Sequence, residues 1–245
     1  MNRYIALALN DLRGISRDPM LAVGILGPLA LLTFIRYGFP IIDIFVEESF
    51  SLNLSHYSRF MTSLFMLITP MLVGMMAGFL MLDERDEQMV SYYAVTPLTR
   101  RGYLIQRLGL PTVLSIGLNV MFLSLSGLEP FNWLGQLAVI MMLALETPMF
   151  ALFLVSFASN KVEGLALSKV GGIFLAGPIF VYFIPGAWSW TGSILPMFWT
   201  ARLYEMGMQL SDYSRLLYAV NVIIALGIHV LLFLLMLRRY EQQSD

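Results

Sequence analysis

A chain of 245 residues that is 58% hydrophobic and only 13% charged cannot cover a water-facing surface, which takes about a quarter of charged residues in a soluble domain. A mean hydropathy of +0.74 makes lipid the solvent for most of it. The net charge of −1 excludes a global field directed at nucleic acid, and the lack of cysteine excludes a disulfide framework, a thiol nucleophile and a cysteine-bound metal.

The sequence predicts an all-α integral membrane protein, a single transmembrane domain over residues 1–245. Residues 1–18 come first. Ile5, Leu9, Leu12 and Ile15 share one helical face, and Arg3, Asn10, Arg13 and Arg17 the other. This is the pattern of an amphipathic helix lying in the membrane interface. Asp18-Pro19 ends it, because the residue before proline is pushed out of the helical region. Polar Asn10, Asp11 and Arg13 interrupt any apolar centre, so the segment does not read as a cleavable signal.

Six stretches then have the roughly 20 mostly apolar residues that cross the hydrocarbon: 20–37, 60–82, 104–126, 134–157, 167–184 and 216–237. With the N-terminus inside, eleven of the fifteen Lys and Arg residues fall in cytoplasmic segments, and Arg36, Arg59, Arg202 and Arg215 fall outside. Basic residues concentrate on the cytoplasmic side. The expectation is therefore a multi-pass protein of a bacterial plasma (inner) membrane with both termini cytoplasmic. Between spans, residues 43–59 read as a polar, acidic outer segment and 127–133 as a tight turn. Residues 186–215 are too long for a turn and carry Trp188, Trp190, Pro196, Phe198, Trp199 and Tyr204. Short helices over 191–208 are expected to dip into the outer leaflet and return, covered by protein because backbone at that depth cannot meet lipid unpaired.

Two places concentrate polar chemistry. Residues 83–103 open with Asp83, Glu84, Asp86 and Glu87, continue through a short helical stretch at 88–95, and close with Thr96-Pro97 before Arg100-Arg101. A short helix held between two spans is a handle that a partner can grip. The other place is Glu146, mid-way along the fourth predicted span, two residues before Pro148. A carboxylate at that depth costs about 2.5–3.5 kcal/mol on insertion scales. It must be paired, protonated or wet, and Asn119, Asn221 and His229 are its candidate partners. Glu146 then either lines a substrate path with Asn119 and Asn221 or bridges two spans. Gly24, Gly27, Pro28, Gly74, Gly78, Gly171, Gly172, Gly177 and Pro178 suit close helix contacts.

Enzymatic readings fail on motif. Lys161 and Lys169 are the two lysines, and neither stands in a phosphate-cradling GxxxxGK[ST] frame. ATP hydrolysis is therefore not expected on this chain. Ser126-Gly127 lacks the context of a membrane serine protease, and His56 and His229 lie at different predicted depths, so no metal site is expected.

The loop at 83–103 resembles the first cytoplasmic loop of type-2 ABC exporter permeases. Glu84, Arg85, Asp86 and Glu87 match the acidic cluster, Thr96-Pro97-Leu98 the closing motif, and Tyr103-Leu104 the restart of the span. Gln88 stands where glycine is common and Ser91 where an acid is common. Residues 158–169 are similar to that family's second cytoplasmic loop. Leu195-Pro196 with Trp199 resembles its re-entrant outer segment, and the helix ending at Arg17-Asp18-Pro19 its interfacial elbow. The resemblance implies coupling to a separate ABC ATPase through Glu84, Glu87, Met89, Tyr92, Tyr93, Thr96, Pro97, Asn160, Lys161 and Glu163. ATP and Mg would be held by that ATPase, with no cofactor on this chain. It also implies a second permease copy or a related permease, and export of an amphipathic or hydrophobic substrate drawn from the membrane, such as a drug, an antibiotic peptide or a lipid-linked molecule. The rival expectation is a proton-coupled secondary transporter using Glu146.

Overall fold

A computed structural model describes residues 19–89, 99–210 and 213–244. The interfacial helix expected at 1–18, and Tyr92, Tyr93, Thr96 and Pro97, lie outside the described residues. Among the described residues the secondary structure is entirely helical: α1 (Pro19–Thr33), α2 (Phe39–Phe50), α3 (Ser58–Asp86), α4 (Thr99–Leu125), α5 (Trp133–Phe157), α6 (Lys161–Gly171), α7 (Gly177–Tyr182), α8 (Pro196–Met208) and α9 (Arg215–Ser244). A π-helical turn, Phe34–Gly38, joins α1 to α2, and 3₁₀ turns occupy Leu54–Tyr57, Gly172–Ala176 and Gly186–Ile194.

Among the described residues six helical runs are long and apolar enough to cross a membrane: Ala22–Phe50, Leu54–Asp86, Arg101–Leu125, Trp133–Phe157, Lys161–Tyr182 and Arg215–Gln242. The number agrees with the sequence and several bounds do not. The first run passes residue 37 and continues to Phe50, so most of the expected polar segment at 43–59 is helix. Pro40 falls directly after the π-helical turn Phe34–Gly38, whose widened ladder accommodates the missing donor inside the continuous run. Asp43 faces back along the chain and accepts from the Leu54 amide at 2.7 Å and the Ser55 hydroxyl at 2.5 Å. The second run extends to Asp86 rather than stopping at 82. The fifth begins at Lys161 rather than 167, because the Asn160 side chain accepts from the Glu163 amide at 2.9 Å and starts the helix there.

α3 and α5 form the centre. Of their most apolar stretches 67% and 72% are buried, against 11% for the α1–α2 run and 17% for α9. Glycine permits their approach: a Cβ at Gly74 would stand 2.3 Å from the Thr147 carbonyl oxygen, and one at Gly78 3.0 Å from that of Ala151. Gly24 meets Met76 and Gly27 meets Leu72, so α1 runs antiparallel to α3 and starts at the end where α3 finishes. Arg239 of α9 reaches that same end through the Ser156 carbonyl of α5. It is called the Asp86 end below, and its opposite the Arg59 end.

The segment between α7 and α9 folds inward. A Cβ at Gly192 would strike Phe180, and one at Gly177 the Phe198 backbone amide at 2.4 Å. α8 then climbs back, with Pro196, Phe198, Thr200 and Leu203 buried, until Gly207 meets Gly135 near the start of α5, where a Cβ on either would lie about 2 Å from the other's carbonyl oxygen. The expected helices over 191–208 are thus a 3₁₀ turn followed by α8.

Candidate functional site

Halfway along α5, Glu146 is 1% exposed. The Thr200 hydroxyl of α8 donates to its Oε1 at 2.5 Å, and Nε2 of His229 in α9 lies 3.4 Å from the same oxygen. The other nitrogen of His229 is 2.8 Å from the Ala225 carbonyl. A carbonyl only accepts, so that nitrogen donates to it and Nε2 is the one that faces Glu146. Three elements therefore meet on one carboxyl oxygen, while Oε2 is buried with no hydrogen-bond partner among the described residues. Because Glu146 is at the middle of α5, the Thr200 contact puts α8 at mid-depth of the bundle.

Asn119 and Asn221 do not join it. Asn119 donates to Ser115 at 3.5 Å on its own helix. Asn221 accepts from Arg202 at 3.2 Å and donates to the Leu217 carbonyl; at eight residues before His229 it stands about 12 Å away along α9. Arg202 also lies 4.2 Å above the Trp190 ring, so Asn221 anchors the inward-folded segment. Of the three candidate partners of Glu146 only His229 makes contact. Thr200 is not among the residues the sequence singles out, because a lone threonine in an aromatic-rich stretch carries no signal of what it faces.

The Asp86 end holds a second assembly. Arg107 of α4 binds both oxygens of Glu84, with Nε at 2.9 Å, and the Tyr103 hydroxyl donates to the same carboxylate at 2.7 Å. Glu84 is 6% exposed, so it ties α3 to α4 and offers no surface. Arg85 donates to the carbonyls of Val155 and Ala158 at 2.8 and 3.0 Å, and Arg239 to that of Ser156 at 2.9 Å. Two guanidinium groups thus cap the C-terminus of α5, where a helix concentrates partial negative charge. The Lys161 ammonium pairs with Asp83 at 2.7 Å, its amide donates to Asp86 at 3.1 Å, and Glu163 accepts from the Ser159 amide at 2.7 Å. The loops expected to act together, one beginning at residue 83 and one at residue 158, are joined there. Glu87 and Glu163 are exposed, and Met89, Asn160 and Lys161 half-buried.

At the Arg59 end, Arg59 pairs with Glu205 at 3.2 Å and Glu129 at 3.8 Å. These residues, with His56, Tyr57, Phe60, Tyr182 and Phe183, wall a cavity of about 590 Å³. Among the described residues no three His, Asp or Glu gather in a way that would hold a metal ion.

Against known proteins, residues 11–237 match the model of the family described as Rv2686c-like, fluoroquinolones export permease proteins. The chain belongs to that family. Two relatives from Mycobacterium tuberculosis, the fluoroquinolones export permease proteins Rv2686c of strain H37Rv and MT2760 of strain CDC 1551 / Oshkosh, are each 28% identical over 202 residues, covering 81% of this chain and 80% of theirs. No solved structure matches. Membership bears out the resemblance to ABC exporter permeases, and with the six apolar runs it makes the chain a multi-pass membrane protein.

Proposed function

We propose that this export permease is the transmembrane subunit of an ATP-driven exporter in a bacterial plasma membrane. It works with a separate ABC ATPase that holds ATP and Mg, and with a second permease copy or a related permease. Its Asp86 end, with both termini, faces the cytoplasm. The cargo is an amphipathic or hydrophobic drug-like molecule, of the fluoroquinolone class for which the mycobacterial relatives are named.

The observation that carries the reading is the bonding at the Asp86 end. Lys161 joins the two loops, Arg85 and Arg239 fasten α3 and α9 to the end of α5, and Glu84 fastens α4 to α3. A partner that presses on Glu87, Met89, Asn160 or Glu163 therefore displaces several spans together rather than bending one loop. Tyr92, Tyr93, Thr96 and Pro97 complete the gripping surface on this reading, with aromatic side chains as the anchors. Glu146 belongs to the substrate path, with Asn119 and Asn221 nearer its Arg59 end.

The test is affinity purification of the tagged chain from native membranes. An ABC ATPase is expected to co-purify, and its yield to fall at least tenfold in Tyr92→Ala/Tyr93→Ala with membrane insertion unchanged. Full retention of the ATPase by the double variant would remove the loop from the coupling surface.

The buried Glu146–His229 contact favours a second reading, a proton-coupled secondary transporter, since an acid and an imidazole at mid-depth make a proton relay. That reading requires transport without nucleotide.

A further inference from the structure

Beside Glu146 the bundle is not filled. A cavity of about 110 Å³ is bounded by Glu146, Phe150 and Phe153 of α5, Phe174 of the 3₁₀ turn after α6, Met197 of α8 and Met236 of α9. An apolar cavity of roughly 150 Å³ accepts a benzene molecule. This one is smaller and open rather than enclosed, so a ring of that size projects past the rim, where Ile194, 86% exposed, stands. Its lining runs from Glu146 at mid-depth to Phe153 and Met236 and joins the inward-folded segment to α9.

The lining has two chemistries. One is aromatic: Phe174 lies edge-on to Phe150 and Phe153, with ring centroids 5.9 and 5.6 Å apart. The other is the Glu146 carboxyl, the one ionisable group among the described lining residues. Thr200 and His229 both engage Oε1, and Oε2 is buried without a partner among the described residues. Buried polar atoms are nearly always satisfied, so an orphaned carboxyl oxygen calls for an explanation. A donor delivered by a ligand supplies one.

We propose that this cavity binds an apolar ring-sized group bearing a protonated amine, the ring lying among Phe150, Phe153 and Phe174 and the Glu146 carboxyl turning to present Oε2, which is closed to water in the empty cavity, to the ammonium. The ring buries its apolar surface among the phenylalanines. The carboxyl adds a charge-assisted hydrogen bond. The proposal rests on the reading of Glu146 as part of the substrate path and names the portion of a cargo it would recognise.

The experiment is thermal unfolding of the detergent-purified full chain titrated with benzylamine, and in parallel with benzyl alcohol, which has the same ring and no positive charge. Benzylamine is expected to raise the unfolding midpoint saturably, and benzyl alcohol to do so with at least tenfold weaker apparent affinity. Glu146→Gln is expected to weaken benzylamine at least tenfold and to leave benzyl alcohol as it was. Leu232→Phe, which fills the cavity from α9 without touching the Glu146 contacts, is expected to abolish both. Equal affinities for the two probes, undiminished benzylamine affinity in either variant, or no saturable response overturns the proposal. ATPase co-purification from the same preparations separates the two readings. Retained ATPase without amine binding refutes this site alone, whereas amine binding without ATPase refutes the ATP-driven exporter.

Discussion

Glu146 stands out among the residues of the chain because a charge inside an apolar run has to be compensated. Its partners are harder to read from sequence. Asn119, Asn221 and His229 are equal candidates by type, and only rotation and height along a helix separate them. His229 faces α5, whereas Asn221 is two helical turns away and occupied by Arg202. Gln88 is a quieter case. It stands where the resembling family often has glycine, and its φ is +57°, the left-handed conformation that ends α3 with its amide on the Arg85 carbonyl at 3.0 Å. That conformation costs an ordinary residue about 1–2 kcal/mol, and a β-branched side chain tolerates it least. Gln88→Val is therefore expected to lower the unfolding midpoint, and Gln88→Gly to equal or exceed the parent, with about 1 kcal/mol between the two variants. A glycine variant less stable than the valine variant would contradict this account of the helix end.

At the scale of elements, the apolar runs are legible in the sequence and their ends are not. A hydropathy pattern stops where polar residues begin, whereas a helix continues if those residues find partners. Asp43 finds Leu54 and Ser55, so α2 persists. Glu84 finds Arg107, so α3 runs on past its apolar part and α4 begins before its own. Such pairing between distant positions leaves no mark in a single sequence. The small residues are more readable: Gly24, Gly27, Gly74, Gly78, Gly171 and Gly177 all lie against another element, and only Gly172 of the glycines singled out has open space around it. The Glu84–Arg107 pair gives the element-scale prediction. Its side chains are 8% and 7% exposed, and removing one member of a buried pair costs about 3–5 kcal/mol by stranding the other. Arg107→Met should lower the unfolding midpoint in detergent sharply, and Glu84→Gln/Arg107→Met should regain more than half of the loss. A double variant as unstable as the single one would mean that the pair does not hold α3 to α4.

At the scale of the whole molecule, an assembly of charged residues at the Asp86 end stands apart from one carboxyl at mid-depth. The first fastens the ends of α3, α4, α5, α6 and α9 to one another; the second joins α5, α8 and α9 beside a cavity. On the proposed account, force enters at the former and cargo is held near the latter, and the chain itself supplies no chemistry of ATP. The measurement that tests this most directly is uptake of norfloxacin, a fluoroquinolone, into proteoliposomes. The complex co-purified from native membranes is compared with the permease alone, with and without ATP and with and without a pH gradient. The account predicts uptake that requires both the ATPase and ATP and is lost when the P-loop lysine of the ATPase is replaced by alanine. Equal uptake by the permease alone, driven by the pH gradient without nucleotide, would contradict it and establish the proton-coupled reading in its place.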